Sequence, residues 1–580
     1  MHKLWFLLIS GCALVIAGFS FLATSPSYAQ SAGDYVGSRE CGSCHRDLSR
    51  THALSEHSLT LQDVSDDKDA ILASFDSGED IRTVTFPGDE EARAFTANDV
   101  AFTIGTGRYV QRYLYEVDDD EYRVFPAEWN TQTQTWQPFA LSSEWDEAYD
   151  WNTNCAACHT TAFNADRGTW RETGVQCEAC HGPGVDHVEI VEILDEPIMG
   201  EDRVLLENSI NSAVDAQVCG QCHSRGETPY PTGYFPGMDL SETFTLSTAD
   251  DPVHWWATGH ASQANMQYNE WLLGHGGDTI TSVMESDYFS PSCLECHSVL
   301  YTRNLNFIVN STEDDLYDAI GVNNGDQLLA RLEIEPDTVN PDLPLLPQIL
   351  PALISSSYGE NVTLPALAAF LAGEDYNPQA VGVTCASCHN PHSGVGAEEG
   401  AVLPEFNLVS EPYALCVTCH SNPDNAIHHP TQEFYEGITF IDNVEGRPSA
   451  HFVAEEGPDC ITCHMPSVPV EGATRSSHTM SPILPGEAFN IENVEDSCLG
   501  CHGDLVNAES MQALIDAVQT DTVARIERAR AAITESTPEW VTTALDVIEG
   551  DGSAGIHNYA YTDALLDAVD AELGLFGGEE

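Results

Sequence analysis

The sequence predicts a mainly α-helical and irregular chain, with a small β-rich subdomain near the N-terminus and a helical segment at the C-terminus. Three observations predict it. A five-residue pattern, Cys-x-x-Cys-His, occurs nine times at irregular intervals. Alternating runs with β character cluster between residues 113 and 139. From Asn507 onward, apolar residues recur at helical spacing.

The nine patterns use 18 of the 19 cysteines and leave only Cys12, in an N-terminal apolar stretch. No cysteine remains for a disulfide framework or a nucleophile. Two thiols three positions apart can each form a thioether with one haem vinyl group, and the histidine that follows presents its imidazole to the iron from the same side. A single Cys-x-x-Cys would equally suit zinc. Nine copies, each with its histidine, point to nine covalently bound haem c groups. The expected attachment residues are Cys41 and Cys44, Cys155 and Cys158, Cys177 and Cys180, Cys219 and Cys222, Cys293 and Cys296, Cys385 and Cys388, Cys416 and Cys419, Cys460 and Cys463, Cys498 and Cys501. The expected proximal ligands are His45, His159, His181, His223, His297, His389, His420, His464 and His502. The fold class is thus haem-organised: mainly α and irregular, built around its prosthetic groups.

What fills the sixth position of each iron separates a wire from an enzyme. A second histidine gives a closed iron that only exchanges electrons, whereas an open position binds substrate. Twenty-two histidines, less the nine in motifs and His2, leave twelve spares. His57, His187, His260, His275, His392, His478 and His557 are the first expected distal ligands, followed by His451 and one of His428 and His429, taken as His429. The surplus is sought among His52, His254 and His428. Met465 and Met480 are the alternative ligand type. A Gly-Pro turn in His181-Gly182-Pro183-Gly184-Val185-Asp186-His187 turns His187 from its own haem toward a neighbour, and His389-Asn390-Pro391-His392 works similarly. The short spacing of the motifs at Cys155 and Cys177 predicts near contact of those two haems. His557 lies far beyond the last motif. The segment before it reads as one long helix broken by Pro538 and by Gly550, Gly552 and Gly555, which lets the chain fold back.

The expected organisation is a signal peptide at 1–29, a first haem segment at 30–64, a β-rich haem-free insert at 65–150, a four-haem segment at 151–300, a haem-free helical and loop insert at 301–380, a second four-haem segment at 381–506 and C-terminal helices at 507–580. In the first insert, Tyr113–Val117 and Glu121–Phe125 flank an acidic turn as one hairpin, and Ala127–Asn130 with Thr135–Phe139 form a second. In the other, Thr363–Gly373 reads as a short helix ending at glycine. The tail carries a stripe of Met511, Leu514, Ile515, Val518, Val523, Ile526 and Ala529.

The N-terminus reads as an export signal, with Lys3, an apolar run from Leu4 to Leu22 and small residues before a cleavage point after Ala29. An uncleaved anchor and lipidation at Cys12 are the alternatives. Each places the bulk of the chain in a periplasmic or extracellular setting, where haem attachment also occurs. Lys and Arg total 21, Asp and Glu 92, and the formal net charge is −71. Such a chain repels nucleic acid and anionic lipid. The acidity suits high salt, as in halophile-like surfaces, and it suits redox partner proteins with basic docking faces.

Several strings resemble the multihaem cytochrome c superfamily, which includes ammonia-forming nitrite reductase, hydroxylamine oxidoreductase and octahaem tetrathionate reductase. They are Gly174–Gly184 around Cys177, Cys460-Ile461-Thr462-Cys463-His464-Met465-Pro466 with His478, and Gly555-Ile556-His557-Asn558-Tyr559 with Ala564-Leu565-Leu566. The resemblance implies a shared scaffold and a C-terminal histidine that reaches back to an iron. This sequence departs from nitrite reductase in having no Cys-x-x-Cys-Lys motif, and no catalytic residue carries over. The leading expectation is electron transfer along closely spaced, mostly bis-histidine haems. The alternatives are an oxidoreductase acting on a small nitrogen or sulfur compound at one open haem, and a subunit of a homo-oligomer or haem filament.

Overall fold

The computed structural model describes residues 34–575, apart from 66–67, 87, 119–120, 140–149, 195–204, 207–208, 275–282, 284–292, 300–323, 332–338, 340–381, 393–404, 422–427, 443, 455–456, 471–472, 489–490 and 492. The expected signal peptide, the helix at Thr363–Gly373 and His275 lie outside the described residues.

The N-terminal part carries an antiparallel six-stranded sheet: β1 (Leu61–Asp63), β2 (Phe102–Ile104), β3 (Val110–Asp118), β4 (Glu121–Val124), β5 (Ala127–Asn130) and β6 (Thr135–Pro138). Its order is β1-β2-β3-β5-β6, with β4 also on β3. The long strand β3 makes this possible by pairing twice. Leu114 sits opposite Val124 of β4, whereas Val110 sits opposite Asn130 of β5. The register against β4 shifts between Glu116 and Asp118. Alternation along β3 sends neighbouring residues to opposite faces. Tyr113 joins Phe95, Phe125, Trp129 and Trp136 in one core. Leu114 joins Leu61, Phe102, Val124 and Trp151 in another, which also buries Ala156. The second core therefore anchors the motif at Cys155 to the sheet.

A second hairpin, β7 (Ser467–Val470) with β8 (Ala473–Ser476), follows the motif at Cys460. Val468 and Val470 bury one face against Ile483, Ala488 and Val494. The strand β8 leads directly into His478.

Three helices close the chain: α1 (Ala508–Ala532), α2 (Glu539–Asp551) and α3 (Tyr559–Leu573). Asn507 and Asn558 cap α1 and α3 by accepting from Ser510 N–H and Tyr561 N–H. Gly552 and Gly574 end α2 and α3 in the left-handed conformation. The sequence puts the break of the long helix at Pro538 and the glycines. The structure ends α1 at Ala532, and Pro538 precedes a separate helix, α2, that runs on to Asp551 before Gly552. The bundle core contains Ile526, Val541, Leu545, Ile548, Tyr561, Leu565 and Val569, and it also takes in Phe434 from the haem-motif region. Each such side chain contributes about 1.5–3 kcal/mol on burial. Two members of the expected stripe depart from it: Leu514 is 56% and Val523 46% exposed. Among the described residues, no helix is long and apolar enough to cross a membrane.

Candidate haem sites

Most of the motifs fold as a short helical turn, for example Cys177–His181, Cys293–His297 and Cys460–His464. Helical spacing puts both cysteines on one face and brings the histidine beside them. This is the local geometry that thioether attachment and proximal ligation require.

An iron held by two imidazole nitrogens at ~2.0 Å each sets the ring centroids about 6 Å apart. Eight of the nine motif histidines face a second histidine at that spacing. His45 faces His187 at 6.3 Å, His181 faces His392 at 5.9 Å, and His223 faces His57 at 6.2 Å. His389 faces His478 at 6.3 Å, His464 faces His557 at 6.0 Å, and His502 faces His451 at 6.0 Å. His297 lies 6.2 Å from His428, and His420 lies 5.9 Å from His429. His429 is also 6.3 Å from His297, and the donor atoms of His297, His428 and His429 fall within 4.8 Å of one another.

The other ring nitrogen is committed elsewhere in many of these histidines. Nδ1 of His181 donates to the Asn211 carbonyl at 2.7 Å, that of His389 to Phe406 at 2.8 Å, and that of His464 to Met480 at 3.1 Å. His187 donates to Leu206 at 3.0 Å, His478 to Ser476 at 3.2 Å, and His223 to the Gln267 side-chain oxygen at 3.1 Å. His557 donates to the Asp551 carboxylate at 2.8 Å. A ligating histidine is held in this way, with Nδ1–H bonded and Nε2 facing the metal. Burial pushes His57 and His478 down to about 4 and so favours the neutral, ligating form. His557 goes the other way: burial is the largest influence and works against its charge, but the Asp551 hydrogen bond, the Asp551 charge and Cys460 together outweigh it and raise its pKa. The residues present thus fit haem c at these positions.

The turn at His187 carries its ring to the motif at Cys41, and His392 reaches the motif at Cys177 rather than its own neighbour His389. Glu270 fixes His478 from behind, accepting from the N–H groups of His478 and Ala261 and from the Ser477 hydroxyl. His428, grouped with the surplus in the sequence reading, takes a place opposite His297. His429 adopts φ +56°, and its ring lies 4.0 Å from that of His428, so the adjacent pair stands together between His297 and His420.

The ninth motif histidine is different. Among the described residues, no histidine ring faces His159, whose ring neighbour is Trp151 at 6.3 Å. Its Nδ1 bonds the Thr60 hydroxyl at 2.8 Å. Burial, aided by Arg112 and Arg225, pushes His159 down to about 4. Arg112 is paired with Glu128 at 2.7 Å, and Arg225 donates to the Ala264 carbonyl at 3.0 Å.

His260 differs from the sequence expectation. It is 2% exposed, with Nδ1 on the Thr258 carbonyl at 3.0 Å and Nε2 on the Ser481 carbonyl at 3.1 Å. Both nitrogens are occupied by backbone oxygen, so the ring has none to give to iron. Two other spare histidines stand outside the pairs. His52 bonds the Val175 carbonyl at 2.9 Å, and His254 bonds Asp251 at 2.7 Å.

Thiols of different motifs meet. Cys41 contacts Cys177, Cys158 contacts Cys222, Cys219 contacts Cys385, Cys296 contacts Cys419, and Cys416 contacts Cys460. Cys180 lies near Cys219, Cys388 near Cys416, and Cys463 near Cys501. The motifs beginning at Cys41, Cys177, Cys219, Cys385, Cys416, Cys460 and Cys498 therefore form one string. The motif at Cys155 branches from it at Cys219, and the motif at Cys293 branches at Cys416. The segments of the motifs at Cys155 and Cys177, expected to lie close, are joined by Gly174 N–H on the His159 carbonyl at 3.0 Å and Gln176 N–H on the Thr161 hydroxyl at 2.8 Å, while their thiols meet those of other motifs.

The motif array and the fold together define a multihaem c-type cytochrome that binds its haem covalently. Residues 122–182 match the family described as cytochrome c554 and c-prime, and residues 377–425 match the doubled CXXCH motif family. The fold is similar to that of the outer cell wall cytochrome OcwA, at 23% identity and TM-score 0.66, over 93% of this chain and all of that one. It is also similar to the undecaheme cytochrome from the S-layer of Carboxydothermus ferrireducens, at 20% identity and TM-score 0.52, over 96% of this chain and 72% of that one. No curated protein matches in sequence.

Proposed function

We propose that the chain is an exported nonahaem cytochrome that transfers electrons along a string of closely spaced, mostly bis-histidine haems. The observation that carries this reading is that thiols of all nine motifs are linked, five pairs by contact and three by close approach. Haems bonded to such cysteines would be close enough for electrons to pass between them. Haem supplies one-electron chemistry whose potential the axial ligands, burial and nearby charge adjust. The histidine pairs would hold eight irons closed, and the branch positions would offer separate entry or exit points. The outer cell wall and S-layer settings named for the two similar structures support a periplasmic or extracellular place. The −71 charge supports donors and acceptors with basic faces, and assembly of copies into a filament is a further arrangement open to such a string.

A second reading is favoured by one site. The motif at Cys155 has no histidine opposite His159 among the described residues and has Arg112 and Arg225 beside it. An open iron there would suit a small nitrogen or sulfur anion.

Both readings meet in one experiment. Haem analysis should return nine haems per chain, and low-temperature EPR of the oxidised protein should give mainly low-spin signals with a single high-spin component. Excess reductant should then reduce all the haems in a single phase. A haem pool that is reduced only in a separate, slower phase refutes the single string. Loss of the high-spin component in the Arg-flanked site, with no response to nitrite, refutes the open iron.

A further inference from the structure

Among the histidines that face one another in pairs, the Nδ1 bonds described above end on neutral oxygens in every case except one. His557 donates to a carboxylate, Asp551, at 2.8 Å, and that side chain has no solvent exposure. The setting is unusual on physical grounds. The chain buries a negative charge despite a net charge of −71, and a buried charge is costly unless it is bonded. Asp551 is also the last residue of α2, where the helix dipole is negative and disfavours an anion. Both oxygens are used: Oδ1 accepts from His557 Nδ1–H and Oδ2 from the Ser553 hydroxyl and N–H, a pattern that asparagine, with one acceptor oxygen, cannot reproduce. The loop is nonetheless built around the carboxylate. The Ser553 hydroxyl donates to Asp551 and accepts from the His557 N–H at 3.0 Å. Gln519 of α1 donates to the Ser553 carbonyl at 3.3 Å. The same carboxylate therefore shapes the loop through one oxygen and addresses the His557 ring through the other.

We infer that Asp551 is a positioning residue that holds His557 on the iron at Cys460 and Cys463 and lowers the potential of that haem. A carboxylate accepting Nδ1–H makes the imidazole a more basic ligand, and a more basic ligand favours the ferric over the ferrous iron. The effect falls within the string, between the motifs at Cys416 and Cys498. Electrons crossing this position would meet an uphill step, so the residue would control flow between the main body and the terminal haem.

The inference rests on the reading of His557 as a ligand, and the two fail differently. The test is a spectroelectrochemical titration of the haem-loaded protein with parallel EPR. Asp551→Asn is expected to keep all the parent low-spin signals, with one shifted in g value. It should raise the ferrous-to-ferric ratio of one haem at least tenfold at fixed potential, about 59 mV for one electron. Ser553→Ala, which removes the two hydrogen bonds of its hydroxyl but leaves the charge, should raise no midpoint. If Asp551→Asn leaves every midpoint in place and every haem low-spin, the role of Asp551 is wrong. His557→Ala should convert one haem to high spin. If its spectrum matches the parent, the ligand reading itself is overturned, and the tuning role with it.

Discussion

At the scale of single residues, the motif histidines and cysteines were legible because thioether chemistry fixes both residue type and spacing. The distal partners were only partly legible. A count of spare histidines could not tell His260, whose nitrogens both meet backbone carbonyls, from His451, which faces His502. That distinction depends on long-range packing, which spacing does not encode. Glu178 was not legible at all, because it occupies a variable position inside a motif. Its carboxylate is 1% exposed and accepts from the N–H groups of Val36 at 2.9 Å, Gly37 at 2.7 Å and Gly184 at 2.8 Å. It thereby ties the N-terminal segment to the motif at Cys177 and brings Cys41 to Cys177. Glu178→Ala strands three amides and is expected to cost about 3 kcal/mol. A thermal melt should move down accordingly, and EPR should show the haem at Cys41 losing its His187 pairing before the others.

At the scale of elements, both hairpins of the sheet could be read from alternation, and β5 and β6 fall where the sequence puts them. The C-terminal stripe was read less well. Periodicity identifies an amphipathic helix, but only two neighbouring helices decide which arc is covered, and α1 leaves Leu514 and Val523 outside. The bundle is also fastened by charge. Arg525 of α1 reaches Asp563, Asp567 and Asp570 of α3 at 2.8, 2.7 and 3.0 Å, and Arg528 shares Asp570. In a chain with 21 basic residues, this concentration marks α3 as the element that must not drift, since its N-terminal loop delivers His557. Arg525→Ala leaves Asp570 buried with only Arg528, and an expected loss of about 2–3 kcal/mol follows. Hydrogen exchange should quicken in α3 and much less in the β-rich region. Equal quickening throughout would remove the local role.

At the scale of the whole molecule, the net charge of −71 is spread over a single chain. Self-repulsion at that density opposes compaction. Its range is about 30 Å at 0.01 M salt and about 3 Å at 1 M. Thermal stability is therefore expected to rise with monovalent salt, the opposite of a fold held mainly by surface ion pairs. A melting temperature that falls or stays level between those concentrations would contradict this. The string of motifs could not be read at this scale, because neighbours in space, such as Cys219 and Cys385, are far apart in sequence.

The facing histidines also impose an order in time. On the ligand assignment proposed above, His187, His392, His478 and His557 each lie later in the chain than the motif they complete. A chain secreted N-terminus first would present a newly attached haem with its distal side bare until a downstream segment arrives. Maturation would then pass through a series of half-closed intermediates, reactive toward oxygen and small ligands. The one completed by His557 would be sealed only when the helices around it emerge, which makes that helical segment a late checkpoint.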